Sequence, residues 1–185
     1  MGRFFQGLGL VVLALWTSCA QAAPVPARTG AAAAPLLPVE ADDTATRAWA
    51  DRYIEPKGYV RLAIRDSQAF FYSPKDVGRS KDGRPVAWIR FELGRPMAVD
   101  KLSMRSLRRR FELDCRTHRY FEQQIEAYGA ANLAGAKLDD GGPALHWFEV
   151  IAGSADAAWF TPACAALEPA SLPKYPPLPA ITSNQ

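Results

Sequence analysis

The stretch "LRRRFELDCRTHRYFEQQIEAY", Leu107 to Tyr128, decides how this chain is read. Three consecutive arginines run into a cysteine, and two aromatics follow a short turn. Such a run suits a basic nucleic-acid patch, a metal or thiol site, or a hairpin with one covalently anchored strand. Side-chain alternation supplies the first discrimination, because successive residues of a strand point to opposite faces. Leu107, Phe111, Leu113 and Cys115 then share one side, and Arg108, Arg110, Glu112 and Asp114 the other. Arg109 falls on the apolar side, where its flexible stem can still carry the charge to water. After the turn "RTH", Phe121, Ile125 and Ala127 are expected on one face, opposite Tyr120, Glu122, Gln124, Glu126 and Tyr128. The stretch reads as an antiparallel hairpin whose cysteine points toward the core.

The neighbouring segments share this two-residue period. In "YVRLAIR" the residues Val60, Leu62 and Ile64 are expected on one face, opposite Arg61 and Arg65. "QAFFYS" is an aromatic strand stopped by Pro74. "SKDGR" is a hairpin loop, since Asp-Gly readily adopts positive φ. In "VAWIRFEL" Ala87, Ile89, Phe91 and Leu93 oppose Arg90 and Glu92. "GAANLAGAKLDDGGP" reads as a glycine-rich loop and "ALHWFEVI" as a last strand. "AGSADAAWFTPACAAL" changes to helical spacing, with Ser154 as N-cap, Asp156 in the first turn, and Trp159, Ala163 and Leu167 at four-residue steps beside Phe160 and Cys164. Pro162 predicts a short or kinked helix. The fold class is α+β: an antiparallel sheet of about five to six strands with a C-terminal helix on one face.

The ends frame this body. Met1 to Ala22 has a basic start at Arg3, an apolar run at Leu8–Trp16 and a small-x-small site at Ala20–Ala22, the build of a secretory signal. In a lipoprotein reading, Cys19 of "LWTSC" would instead become a lipidated first residue, and only then is a membrane a partner. Residues 23–48 read as a flexible Pro/Ala-rich leader, 49–167 as the folded body and 168–185 as a Pro-rich tail. Cleavage after Ala22 leaves Cys115 and Cys164. An even count in an oxidising compartment favours a disulfide, with two buried free thiols as the alternative.

Taken in order, "AFFYSPKDV", "VAWIRFEL", "RSLRRRFELDCRTHRYF", "EAYGAANLAG" and "WFEVIAGSADAAWFTPAC" resemble the surface-adhesin protein E family of bacterial surface lipoproteins and secreted proteins. The resemblance spans roughly Tyr59 to Leu167. It implies a C-terminal helix tied to a central strand by a disulfide, with Cys115 as the strand cysteine and Cys164 as the helix cysteine. Family members bind host matrix and plasma proteins such as vitronectin, laminin and plasminogen, which the resemblance offers as partners.

Chemistry of other kinds finds little footing. A net charge of +3 over 185 residues is mild, and nucleic acid is not an expected partner of an exported chain. Cys115 and His118 lack a second ligand pair at zinc spacing, and His146 stands apart. Glu112/Asp114 and Glu122/Glu126 suit cross-strand charge pairing better than acid–base work. Asp139-Asp140-Gly141-Gly142 lacks the ligand spacing of a calcium loop. Trp88, Trp147 and Trp159 would have to line one pocket for a small-ligand protein or hydrolase. No catalytic residue, metal ligand or cofactor is therefore expected. What stands out is a basic face, Arg105, Arg108, Arg110, Arg116 and Arg119 with Lys101 and Arg109, suited to an unidentified protein or acidic surface partner. The expected function is a noncatalytic interaction module of the bacterial envelope, periplasmic, secreted or held in the outer membrane as a lipoprotein. A periplasmic assembly scaffold that uses its Pro-rich ends is the alternative.

Overall fold

The hairpin of Leu107–Tyr128 lies at the centre of an antiparallel sheet. The computed structural model describes residues 33–99 and 102–168; the expected signal segment, Cys19, Lys101 and the tail from residue 169 onward lie outside the described residues. The strands are β1 Val60–Arg65, β2 Gln68–Tyr72, β3 Gly78–Arg79, β4 Pro85–Val99, β5 Leu102–Asp114, β6 Arg119–Ala130, β7 Ala134–Gly141 and β8 Phe148–Glu149. They run in the order β1-β2-β4-β5-β6-β7, with β3 beside β4 and β8 beside β6. Helix α1 is Asp43–Tyr53 and helix α2 is Ala155–Leu167.

One face of the sheet packs on α2. Ala87, Ile89, Phe91 and Leu93 of β4 and Leu107, Phe111 and Leu113 of β5 line it, as the alternation predicts, and meet Trp159, Phe160, Ala163 and Leu167. Trp159 stacks on Phe111 with ring centroids 4.6 Å apart. Burying such large rings supplies much of the hydrophobic drive. Ser154 Oγ caps the helix by accepting from the Ala157 amide at 3.2 Å. The helix continues through Pro162 for 13 residues; proline leaves the Ala158 carbonyl without its usual donor, and the buried stripe on either side holds the turn. Cys115 and Cys164 form a disulfide with Cα atoms 5.6 Å apart.

Three local readings of the sequence need correction. Arg110 pairs with Gln124 but Phe111 pairs with Glu122, so Gln123 is the extra residue of a β-bulge. The bulge reverses the face of everything before it: Tyr120 points into the core, stacked on Phe148, while Phe121 points away toward Trp147. A second bulge, at Leu62, lets Leu62 and Ala63 both lean on the α2-side core while Ile64 serves the opposite face. The glycine-rich loop is in part a strand, β7, paired with β6, and "ALHWFEVI" contributes only the two residues of β8.

The largest correction concerns residues 33–48 of the expected leader, whose residues 23–32 lie outside the described ones. Residues 33–48 belong to the folded body. Asp42 caps α1 by accepting from the Ala45 amide at 2.7 Å, and Trp49, Ala50 and Ile54 pack with Ala34 on Ala69 and Phe71, on the sheet face away from α2. A strap ahead of the helix is tied down at several points. Trp49 Nε1 donates to the Pro35 carbonyl at 2.9 Å, Arg95 to that of Val39 at 2.9 Å, and the Leu37 amide to that of Gly94 at 2.8 Å. A Cβ at Gly94 would lie 2.9 Å from the Ser67 carbonyl oxygen and collide with the Leu37 side chain. Gly94→Ala should therefore lift the strap and cost about 1–3 kcal/mol, as overpacking does. A urea titration, with protease cleavage within residues 33–42 as a local probe, checks this.

Candidate interaction face

Only part of the sheet face opposite α2 is covered by α1 and its strap. Beneath them lie two charged residues of β4, Arg90 and Glu92, both fully buried. Arg90 Nε donates to Glu92 Oε1 at 2.6 Å, and its other nitrogens donate to the Glu55 carbonyl at 2.8 Å and to Asn132 Oδ1 at 2.9 Å. Glu92 also accepts from the Asn132 amide at 2.9 Å, and Ser106 Oγ donates to the Ala130 carbonyl at 2.6 Å. Burial raises the Glu92 carboxyl above its ordinary value, with Arg90 pulling it back. The alternation places this pair on the correct face, yet nothing in β4 itself announces that the face is buried there. The signal is Trp49 with Ala50 and Ile54, at the very start of the expected body.

Beyond that cover, nothing among the described residues lies over the face. Paired residues form two rows, Trp88–Arg110–Gln124 and Val86–Glu112–Phe121, and Trp147 extends the second by packing on Phe121 at 5.7 Å. The Arg108 guanidinium lies over Trp88 at 4.5 Å and that of Arg84 over Trp147 at 5.6 Å. Trp88, Phe121, Gln124 and Trp147 remain half-buried and Arg110 is exposed.

The five arginines expected as one basic face do different jobs. Arg105 is consumed by the fold, donating to the Leu93 carbonyl at 3.2 Å and the Ala34 carbonyl at 3.1 Å. Arg108 is neutralised by Glu126 at 2.5 Å, and this hydrogen bond holds the Glu126 carboxyl below its usual range. The Glu126 contribution to stability is present above the unfolded value of 4.5 and lost as pH falls through the lower folded value. Arg119 is buried and bonds Thr117 Oγ1 at 3.2 Å. Arg110 and Arg116 alone of the five are exposed. Arg109, on the α2 side, faces Glu122 at 3.4 Å and the ring of Phe91.

The other chemistry weighed from the sequence is dispersed. Cys115 is in the disulfide and His118 is exposed in a positive-φ turn, its ring 6.3 Å from Phe160. His146 packs on Phe148 at 4.5 Å. Among the described residues no three His, Cys, Asp or Glu side chains group to hold a metal. Glu112 and Asp114 both face Arg84, at 3.4 and 3.7 Å. The bulge puts Glu122 and Glu126 on opposite faces. Trp159 lies in the α2-side core, away from Trp88 and Trp147. Asp139 and Asp140 sit in β7, where Asp140 pairs with Lys137 at 3.0 Å.

A family model described as surface-adhesin protein E matches residues 59–165, more than half of the chain. A comparison with curated proteins found no match. Among solved structures, Haemophilus influenzae protein E aligns at 15% identity and a TM-score of 0.45, over 60% of this chain and 86% of that one. A second crystal form aligns at 15% identity and 0.47, over 60% and 90%.

Proposed function

This chain belongs to the surface-adhesin protein E family, and from that membership we propose that it is an exported, noncatalytic envelope protein that binds a partner through the open part of its sheet. The observation that carries this reading is the set of rings Trp88, Phe121 and Trp147 left half-buried beside exposed Arg110, on a face whose other charges are largely paired among themselves. Aromatic side chains with an adjacent arginine are the composition of binding hot spots. The family suggests host matrix or plasma proteins as the partner class, and an acidic surface would add contacts to Arg110 and Arg116. Export through the segment ending at Ala22, or lipidation at Cys19, is part of the proposal; the mass of the mature N-terminus decides between them.

Trp88→Ala with Arg110→Ser should weaken capture of the partner, probed with immobilised vitronectin, laminin and plasminogen, by at least about tenfold, leaving the circular dichroism unchanged. Arg110→Ser with Arg116→Ser should lessen the salt dependence alone. Arg105 is unsuitable for such a test because it ties down the strap. Binding that survives the first double variant at full strength would remove the face from consideration.

A further inference from the structure

Helix α2 fills its side of the sheet unevenly. Its first residue is Ala155, whose methyl group is too short to occupy the space over Phe91 and Leu107 ahead of the Trp159 ring. The result is a hollow of about 160 Å³ walled by Phe70, Phe91, Leu107 and Trp159, each at most 7% exposed. A cavity of about 150 Å³ is enough for benzene. The hollow opens past Gln68 and Met97, which also line a wider trough of about 360 Å³. Met97 is exposed and carries a flexible side chain, so it does not seal this entrance.

Two side chains of opposite charge line the same hollow, Arg109 and Asp156. Among the described residues Arg109 makes one ion pair, its Nη1 3.4 Å from Glu122, which does not line the hollow, and its Nε is buried without a partner. A guanidinium offers five N–H donors, so most of this capacity is unspent. Asp156 is fixed at the start of the helix, where Oδ1 accepts from Trp159 Nε1 at 3.3 Å and Oδ2 from the Tyr120 hydroxyl at 3.0 Å. About half of a carboxylate's lone-pair sites then remain.

We propose that this hollow binds a small apolar α-amino acid, with its side chain among the rings, its carboxylate on Arg109 and its ammonium on Asp156. Charge decides the ligand class. A simple anion would meet Asp156 and a simple cation would meet Arg109, each a like-charge contact that lowers affinity, whereas a zwitterion answers both. An apolar hollow with a few converging polar groups at its rim is the usual build of a small-molecule site. The hollow lies on the α2 side of the sheet and Trp88, Phe121 and Trp147 on the other. The inference therefore does not rest on the proposed partner face.

The test is an NMR titration of the full oxidised chain, labelled at methionine and leucine methyls and at tryptophan, with L-phenylalanine as probe. The Met97 and Leu107 methyl signals and the Trp159 indole N–H should shift in a saturable way, while the indole signals of Trp88 and Trp147 stay in place. Glycine, which lacks the apolar group, should move none of them. 3-Phenylpropionate, without the ammonium, and 2-phenylethylamine, without the carboxylate, should each bind at least about tenfold more weakly, the loss expected for a hydrogen bond to a charged group. Arg109→Gln should bind phenylalanine no more tightly than phenylethylamine, and Asp156→Asn no more tightly than phenylpropionate, a pattern that a merely structural role would not give. Should either variant fail to fold, the analogue series on the parent chain still decides. No saturable shift with phenylalanine, a shift confined to Trp88 and Trp147, or an analogue that binds as tightly as phenylalanine overturns the inference.

Discussion

A chain with Cys115 and Cys164 both replaced by serine should melt roughly 10–15 °C below the parent and lose the contact between α2 and the sheet. The bridge joins residues 49 apart in sequence; confining a loop of that length in the unfolded chain is worth about 4 kcal/mol in the chain-entropy model. For a domain of this size each kcal/mol moves the midpoint by about 2–4 °C. The helix has particular need of the tie because Pro162 breaks its hydrogen-bond ladder in the middle. Scanning calorimetry of the oxidised parent against the double variant measures the loss, and quenching of Trp159, now 1% exposed, reports release of the helix. An unchanged midpoint would mean that the aromatic stack on Phe111 suffices to hold α2.

Arg90→Ala should cost about 3–5 kcal/mol at neutral pH, because it leaves Glu92 as an unpaired buried charge. It also strips donors from the Glu55 carbonyl and from Asn132. The sign of the pH dependence is specific. Burial already raises the Glu92 carboxyl, and removing Arg90 takes away the first attraction opposing that rise. An acid whose folded value lies above its unfolded value has its penalty relieved as pH falls toward the unfolded value, near 4.5, and felt fully above the folded one. The defect of Arg90→Ala should therefore be smallest near pH 4.5 and grow toward pH 7. Glu92→Gln in the Arg90→Ala background should flatten that dependence. Urea midpoints of the two variants across this range provide the measurement, and a defect equal at pH 4.5 and pH 7 would count against a charged Glu92 as its source.

Both effects bear on what the sequence makes visible. Period-two alternation through Leu107–Cys115 and Val86–Leu93 places the α2-side core correctly, because those runs carry no bulge and lie against large apolar partners. The same rule misplaces Tyr120 and Phe121, since one inserted residue, Gln123, reverses every face before it, and a bulge leaves no mark in polarity. The alternation gives Arg90 and Glu92 their face but not their burial. Burial there depends on α1 and the strap, whose prolines and alanines look like linker composition until Trp49 and Ile54 are seen to meet Phe71. The candidate site is legible in its parts and not as a set. Clustering of arginines in β5 and β6 is plain in the sequence, but which arginine is consumed by a carbonyl, which by a carboxylate and which is left over depends on neighbours far along the chain: Ala34 for Arg105, Glu126 for Arg108.

The strap and the disulfide also determine how the molecule yields to tension. A pull on the N-terminal end reaches the sheet through the Leu37–Gly94 hydrogen bond and the side chains of Trp49, Arg95 and Arg105, which hold the strap. If the far end is pulled as well, the bridge removes the residues between Cys115 and Cys164 from the extensible length, about 165 Å of contour at the reach of an extended chain. Strands β6 to β8 and α2 up to Cys164 are therefore shielded from stretching, and what remains extensible lies ahead of Cys115 and beyond Cys164.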